Sequence, residues 1–133
     1  MQSRRRGARR LLLGPVVGHT DDSSTRIWIQ AGDDPSRYAL RIEGVGLFQF
    51  VSTEGGAIEF GTATVRVTAL LPDTRYRYRV LRAGRFVPGA SGSVRTLPPS
   101  ASMTNLLFCA ISCNGATDIG AWERFAEFVD RSQ

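Results

Sequence analysis

The stretch Leu70-Leu71-Pro72-Asp73-Thr74-Arg75-Tyr76-Arg77-Tyr78-Arg79-Val80 carries the most fold information in this chain. From Arg75 onward the residues alternate. Tyr76, Tyr78 and Val80 fall on one side of an extended backbone and Arg75, Arg77 and Arg79 on the other, because successive strand side chains point to opposite faces. Pro72-Asp73 supplies a turn immediately before it. The same period of two recurs on both sides of this segment. In residues 37–43, Tyr38, Leu40 and Ile42 oppose Arg37, Arg41 and Glu43; in residues 62–69, Ala63, Val65 and Val67 oppose Thr62, Thr64, Arg66 and Thr68. Residues 24–31 place Ile27 and Ile29 opposite Trp28, and residues 47–52 read as one strand with Phe48 and Phe50 on a shared face. Ala83-Gly84 connects to a strand at 85–87, and 93–96 closes the series. Several short alternating strands with frequent Gly, Pro and Asp turns predict an all-β antiparallel sandwich over residues 11–98.

Composition narrows the function. The 133 residues contain seventeen arginines, no lysine and twelve acids. Five of the arginines, Arg4, Arg5, Arg6, Arg9 and Arg10, lie in the first ten residues, and the other twelve are balanced by the twelve acids. The basic excess therefore belongs to a terminal arm, expected to be disordered, and the body lacks the net positive charge of a nucleic-acid binder. In the strands the arginines form the solvated half of the alternation. No stretch reaches the ~18 apolar residues of a membrane span. Ser3-Arg4-Arg5 resembles the start of a twin-arginine export signal. The apolar run that should follow is cut after Leu13 by Gly14-Pro15, which favours a cytoplasmic protein over an exported one and leaves export open.

Leu97-Pro98-Pro99-Ser100-Ala101-Ser102 has the composition of a linker, and residues 99–104 are read as one. The pattern then changes. Residues 106–111, Leu-Leu-Phe-Cys-Ala-Ile, are continuously apolar, as in a strand buried on both faces of a parallel sheet. A small-residue loop (112–118) follows, and a helix is expected from about 120 to 131. Ile119, Trp122, Phe125, Phe128 and Val129 form its apolar stripe, with Thr117 or Asp118 as cap and a Glu127–Arg131 pair. Residues 105–133 thus read as a partial α/β unit, β-loop-α, and the chain as a fragment whose α/β domain continues past Gln133. Cys109 and Cys113 stand four strand residues apart, ~13 Å, too far for a disulfide, whose Cα atoms sit within ~7 Å. Cys109 belongs to the core pattern. His19, without Cys, His or Asp partners at ligand spacing, is read as structural, and Asp21 and Asp22 as turn or cap residues. There is no phosphate-binding glycine loop, nucleophile elbow, C-x-x-C pair or internal repeat.

Leu70, Pro72, Thr74, Tyr76 and Val80 match the L-x-P-x-T-x-Y-x-x-x-V signature of fibronectin type III domains, a variant of the immunoglobulin-like sandwich. In its tyrosine corner the hydroxyl returns to backbone just upstream. Thr25-Arg26-Ile27-Trp28 also resembles the strand that carries a core Trp in such domains. That resemblance buries Trp28, whereas alternation buries Ile27 and Ile29. If both faces are covered, a neighbouring domain lies against one of them. Three stretches together resemble the PhoD-like alkaline phosphatase family of metallophosphoesterases. They are 12–21 leading into 24–29, the corner at 70–80 with Arg95-Thr96-Leu97-Pro98, and Leu107-Phe108-Cys109-Ala110-Ile111-Ser112-Cys113. The resemblance implies an accessory sandwich packing on a calcineurin-like catalytic domain, a phosphoester substrate, and a metal site of iron and calcium with Cys113 as an iron ligand. The remaining ligands, beginning with a Gly-Asp motif, would follow residue 133, so the 133 residues alone are expected to be inactive. The competing reading is a stand-alone fibronectin type III-like binding module.

Overall fold

The computed structural model describes residues 11–53, 61–102 and 119–131. The chain divides into two compact units, Met1–Met103 and Thr104–Gln133. The first is a sandwich of two four-stranded sheets. Its strands are β1 (Leu11–Thr20), β2 (Thr25–Ala31), β3 (Tyr38–Ile42), β4 (Gly46–Gln49), β5 (Val51–Ser52), β6 (Thr62–Val67), β7 (Arg75–Arg82) and β8 (Arg85–Arg95). One sheet has the order β1-β2-β6-β5 and the other β4-β3-β7-β8, and every pairing is antiparallel.

The alternation read from the sequence sets the two inner faces. Ile27, Ile29, Ala63, Val65 and Val67 of the first sheet meet Tyr38, Leu40, Ile42, Tyr78, Val80, Ala90 and Val94 of the second in a single buried cluster. Full burial of each Ile, Leu or Val stabilises the fold by roughly 1.5–3 kcal/mol. Ile27 and Ile29 are completely buried and Trp28 is half-buried on the opposite face. Strand alternation therefore prevails at this position over the buried Trp28 of the fibronectin-like pattern. Pairing explains why: Ile29 lies opposite Ala63 and Ile27 opposite Val65, so turning Trp28 inward would turn both isoleucines out.

The expected corner forms. The Leu71 N–H donates to the Tyr76 hydroxyl at 2.8 Å. Buried Thr96 ties the same turn to the end of β8: its Oγ1 donates to the Leu71 carbonyl at 2.6 Å and accepts from the Thr74 N–H at 2.9 Å. Two strand boundaries differ from the sequence reading. Residues 47–52 are two strands, because the chain leaves the second sheet after Gln49, buries Phe50 between the layers and joins the first sheet at Val51. Segments 85–87 and 93–95 are parts of one continuous β8, which ends one residue before the expected 96 and whose register with β7 shifts between Arg79 and Leu81. Pro88 is accommodated because β8 is an edge strand.

In the second unit, helix α1 spans Ile119–Arg131, one residue longer than expected at its start, with Glu127 and Arg131 3.4 Å apart. The predicted strand at 106–111 and the loop at 112–118 lie outside the described residues, as do the arm at 1–10 and the side chains of Ile119, Trp122, Phe125, Phe128 and Val129.

Candidate functional site

The proposed metal ligand Cys113, and Cys109 with it, lie outside the described residues. Among the described residues no group of three or more His, Cys, Asp or Glu side chains could hold a metal ion. The described donors alone therefore do not make up a site for iron or calcium. His19 is exposed at the end of β1, with Nε2 3.8 Å from an Asp21 carboxylate oxygen. Asp21 organises the turn into β2. It accepts from the Ser23 N–H at 2.8 Å, the Ser24 N–H at 2.5 Å and the Ser24 hydroxyl at 2.7 Å. The Ser24 and Ser23 hydrogen bonds hold its pKa down at about 2.

A polar cluster that the sequence reading reached only as a turn gathers around Asp33. Asp33 accepts from the Tyr38 hydroxyl at 2.7 Å and from Arg82 Nε at 3.0 Å; the Arg82 terminal nitrogen also donates to it, and Arg37 lies 3.5 Å away. The Arg82 hydrogen bond is the main reason the Asp33 pKa is lowered. Burial, then the Asp33 hydrogen bond and charge, push the Tyr38 hydroxyl up to about 12. A carboxylate so engaged, with one oxygen taken by the Tyr38 hydroxyl and the other by Arg82, locks the β2–β3 turn to the end of β7.

These shifts give a pH profile. Asp21, Asp33 and Asp34 have folded pKa values below the unfolded value of 3.8, so their stabilisation is present above about pH 4 and disappears as pH falls toward 2. Tyr38 has a folded value above its unfolded 10.0, so its contribution holds below pH 10 and is lost as pH rises toward 12. Urea midpoints measured across pH should form a plateau with falling limbs at both ends. Asp33→Asn should lower the plateau and flatten the acid limb; an unchanged acid limb would show that the Asp33 linkage is unimportant.

Two surfaces stand out on the sandwich. On the outer face of the first sheet, Val16, Trp28, Thr64 and Val51 lie in one row across all four strands, each directly opposite the next, with Leu13 beside them. Val16 is 50% exposed, Leu13 58% and Val51 65%. On the outer face of the second sheet, Arg41, Arg75, Arg77, Arg79 and Arg95 share three neighbouring strands with Glu43 and Asp73 nearby. Among the described residues no helix is long and apolar enough to cross a membrane.

Comparison with curated proteins and with solved structures finds no match to the chain. A family model does match residues 8–101, which cover the sandwich from its first strand into the segment after β8. The chain belongs to that family, described as a domain of unknown function, DUF7800.

Proposed function

We propose that residues 11–98 are the fibronectin type III-like accessory sandwich of a PhoD-like metallophosphoesterase, that this sandwich packs on the catalytic domain, and that residues 105–133 open that domain. The observation that carries the reading is the half-exposed row Val16–Trp28–Thr64–Val51 on the first sheet, apolar at every position but Thr64. A sandwich that works alone keeps its outer faces polar, whereas one built against another domain leaves such a patch for it. The tyrosine corner and its Thr96 tie support the fibronectin-like assignment. The Ser112-Cys113 end of the apolar stretch supports the catalytic one, with the Cys113 thiolate as a donor suited to iron.

In a longer chain Cys113 would be one ligand of such a metal site, and the bound metals would supply Lewis-acid chemistry toward a phosphoester. Residues 1–133 supply one donor of that set, so they should give no metal-dependent turnover of a chromogenic phosphoester with iron and calcium added. The deciding experiment is to read the coding DNA past the Gln133 codon. An open frame with a Gly-Asp motif and later His and Asp motifs supports the enzyme, and Cys113→Ser in that longer product should then lose bound iron. A stop codon at that point, or turnover by the 133 residues alone, overturns the proposal. The alternative, a stand-alone binding module, draws support from the family match, which ends at residue 101, before Cys113.

A further inference from the structure

The arginine-rich face of the second sheet is arranged at a cost. Arg41 lies directly opposite Arg79, and Arg75 directly opposite Arg95, and like charges placed across strands destabilise a sheet. The nearby acids relieve only the two ends. Arg95 lies 2.8 Å from Asp73, and Arg79 lies 3.8 Å from Glu43 in a half-exposed pair that contributes little. Arg41, Arg75 and Arg77 are exposed and make no ion pair with another described residue. Beside them Ser93 stands opposite Arg77 and Ser91 opposite Arg79. These short hydroxyl side chains leave a groove of about 390 Å³ along the arginine row, lined by three arginines and by one carboxylate, Glu43, which pairs with Arg79.

We propose that this groove binds an acidic peptide segment in extended conformation, with Asp or Glu at alternate positions. The register carries the argument. Arg75, Arg77 and Arg79 are two residues apart on one strand, so their stems repeat every ~6.6–6.8 Å, and carboxylates at positions i, i+2 and i+4 of an extended peptide repeat at the same distance. Guanidinium groups pair with carboxylates through two parallel hydrogen bonds, and the serine hydroxyls can donate to the same peptide. A nucleic acid fits less well. Single strands are held by aromatic platforms, and Phe86 on this face already lies 5.2 Å beneath the Arg79 guanidinium.

The test is fluorescence anisotropy with the full chain and a labelled (Glu-Thr)4 peptide. Controls are its Gln-Thr counterpart, a peptide with its four glutamates contiguous, and a twenty-nucleotide single strand. Arg75→Gln/Arg77→Gln/Arg79→Gln should weaken (Glu-Thr)4 binding at least tenfold while its melting temperature stays equal or rises. The single Arg77→Gln serves the same purpose, with about a threefold loss, should the triple variant fold poorly. Replacing Arg4, Arg5, Arg6, Arg9 and Arg10 by Gln should change binding less than twofold, and the contiguous peptide should bind more weakly than the alternating one. The proposal is overturned if the full chain does not bind (Glu-Thr)4, if the arm variant abolishes binding, or if the face variant loses the nucleic acid and keeps the peptide.

Discussion

Ile29→Ala should lower stability by about 2–5 kcal/mol, the range for truncating a fully buried aliphatic side chain, while Trp28→Ala, next to it, should cost about 1 kcal/mol or less. Ile29 is completely buried and faces Ala63 on the neighbouring strand, too small to close the space an alanine would leave. Trp28 lies on the other face, half in solvent, between Val16 and Thr64. The contrast discriminates because tryptophan is the larger side chain: were it a core residue, its loss would be the more damaging. Urea unfolding of both variants, followed by circular dichroism, provides the comparison. A Trp28→Ala cost equal to or above that of Ile29→Ala would mean that the outer face of the first sheet is covered in the free protein.

Gly61→Ala is expected to destabilise by about 2–4 kcal/mol, through backbone strain and overpacking together. Gly61 adopts φ +56°, and a Cβ there would stand 2.2 Å from the Ala31 carbonyl oxygen. The Ala31 N–H also donates to the Gly61 carbonyl at 2.8 Å, so the two backbones cannot part without breaking the bond that joins the end of β2 to the entry of β6. Gly44 separates the two contributions. Its φ is +74° but nothing lies within 4 Å of an added Cβ, so Gly44→Ala should cost only the left-handed penalty, ~1–2 kcal/mol. Thermal melts of the two variants check this. Equal losses would show that the contact with Ala31 relaxes freely.

How far the fold could be read in advance depended on the range of the interaction. Period-two patterning located β2, β3, β6 and β7 to within a residue or two, because each strand carries its inside and outside in its own alternation. The Leu70–Tyr76 corner was legible for a related reason: its hydrogen bond spans five residues. What local pattern cannot encode is which sheet a strand joins. Phe48 and Phe50 alternate like one strand, yet the chain changes sheets between them. Pro88 and the glycines of β8 read as a break, and tolerance at a sheet edge is a property of the assembled sheet. The Asp33–Arg82 contact joins residues 49 positions apart, and neither residue carries a local sign of the other. The arginine row was visible as a wet face. Its opposed like charges appeared only once β3, β7 and β8 were in register. Cys113 rests on resemblance, beyond the described residues.

The change of sheet at Phe50 also bears on self-association. It leaves β5, an outer strand of the first sheet, only two residues long, Val51–Ser52. An exposed edge strand is a template on which a second chain can add its own strand, and the hazard grows with the length of unpaired backbone. Two residues offer an incoming chain one or two hydrogen bonds, too few to offset the ordering of its backbone. Continued to full length in the first sheet, this strand would add a second long edge beside the row of Val16, Trp28 and Val51, opposite the irregular edge of β1. By sending the chain between layers just before this edge, Phe50 leaves little free backbone on the β5 side of the patch; on the other side the edge is β1, which Pro15 and its register shifts with β2 make irregular.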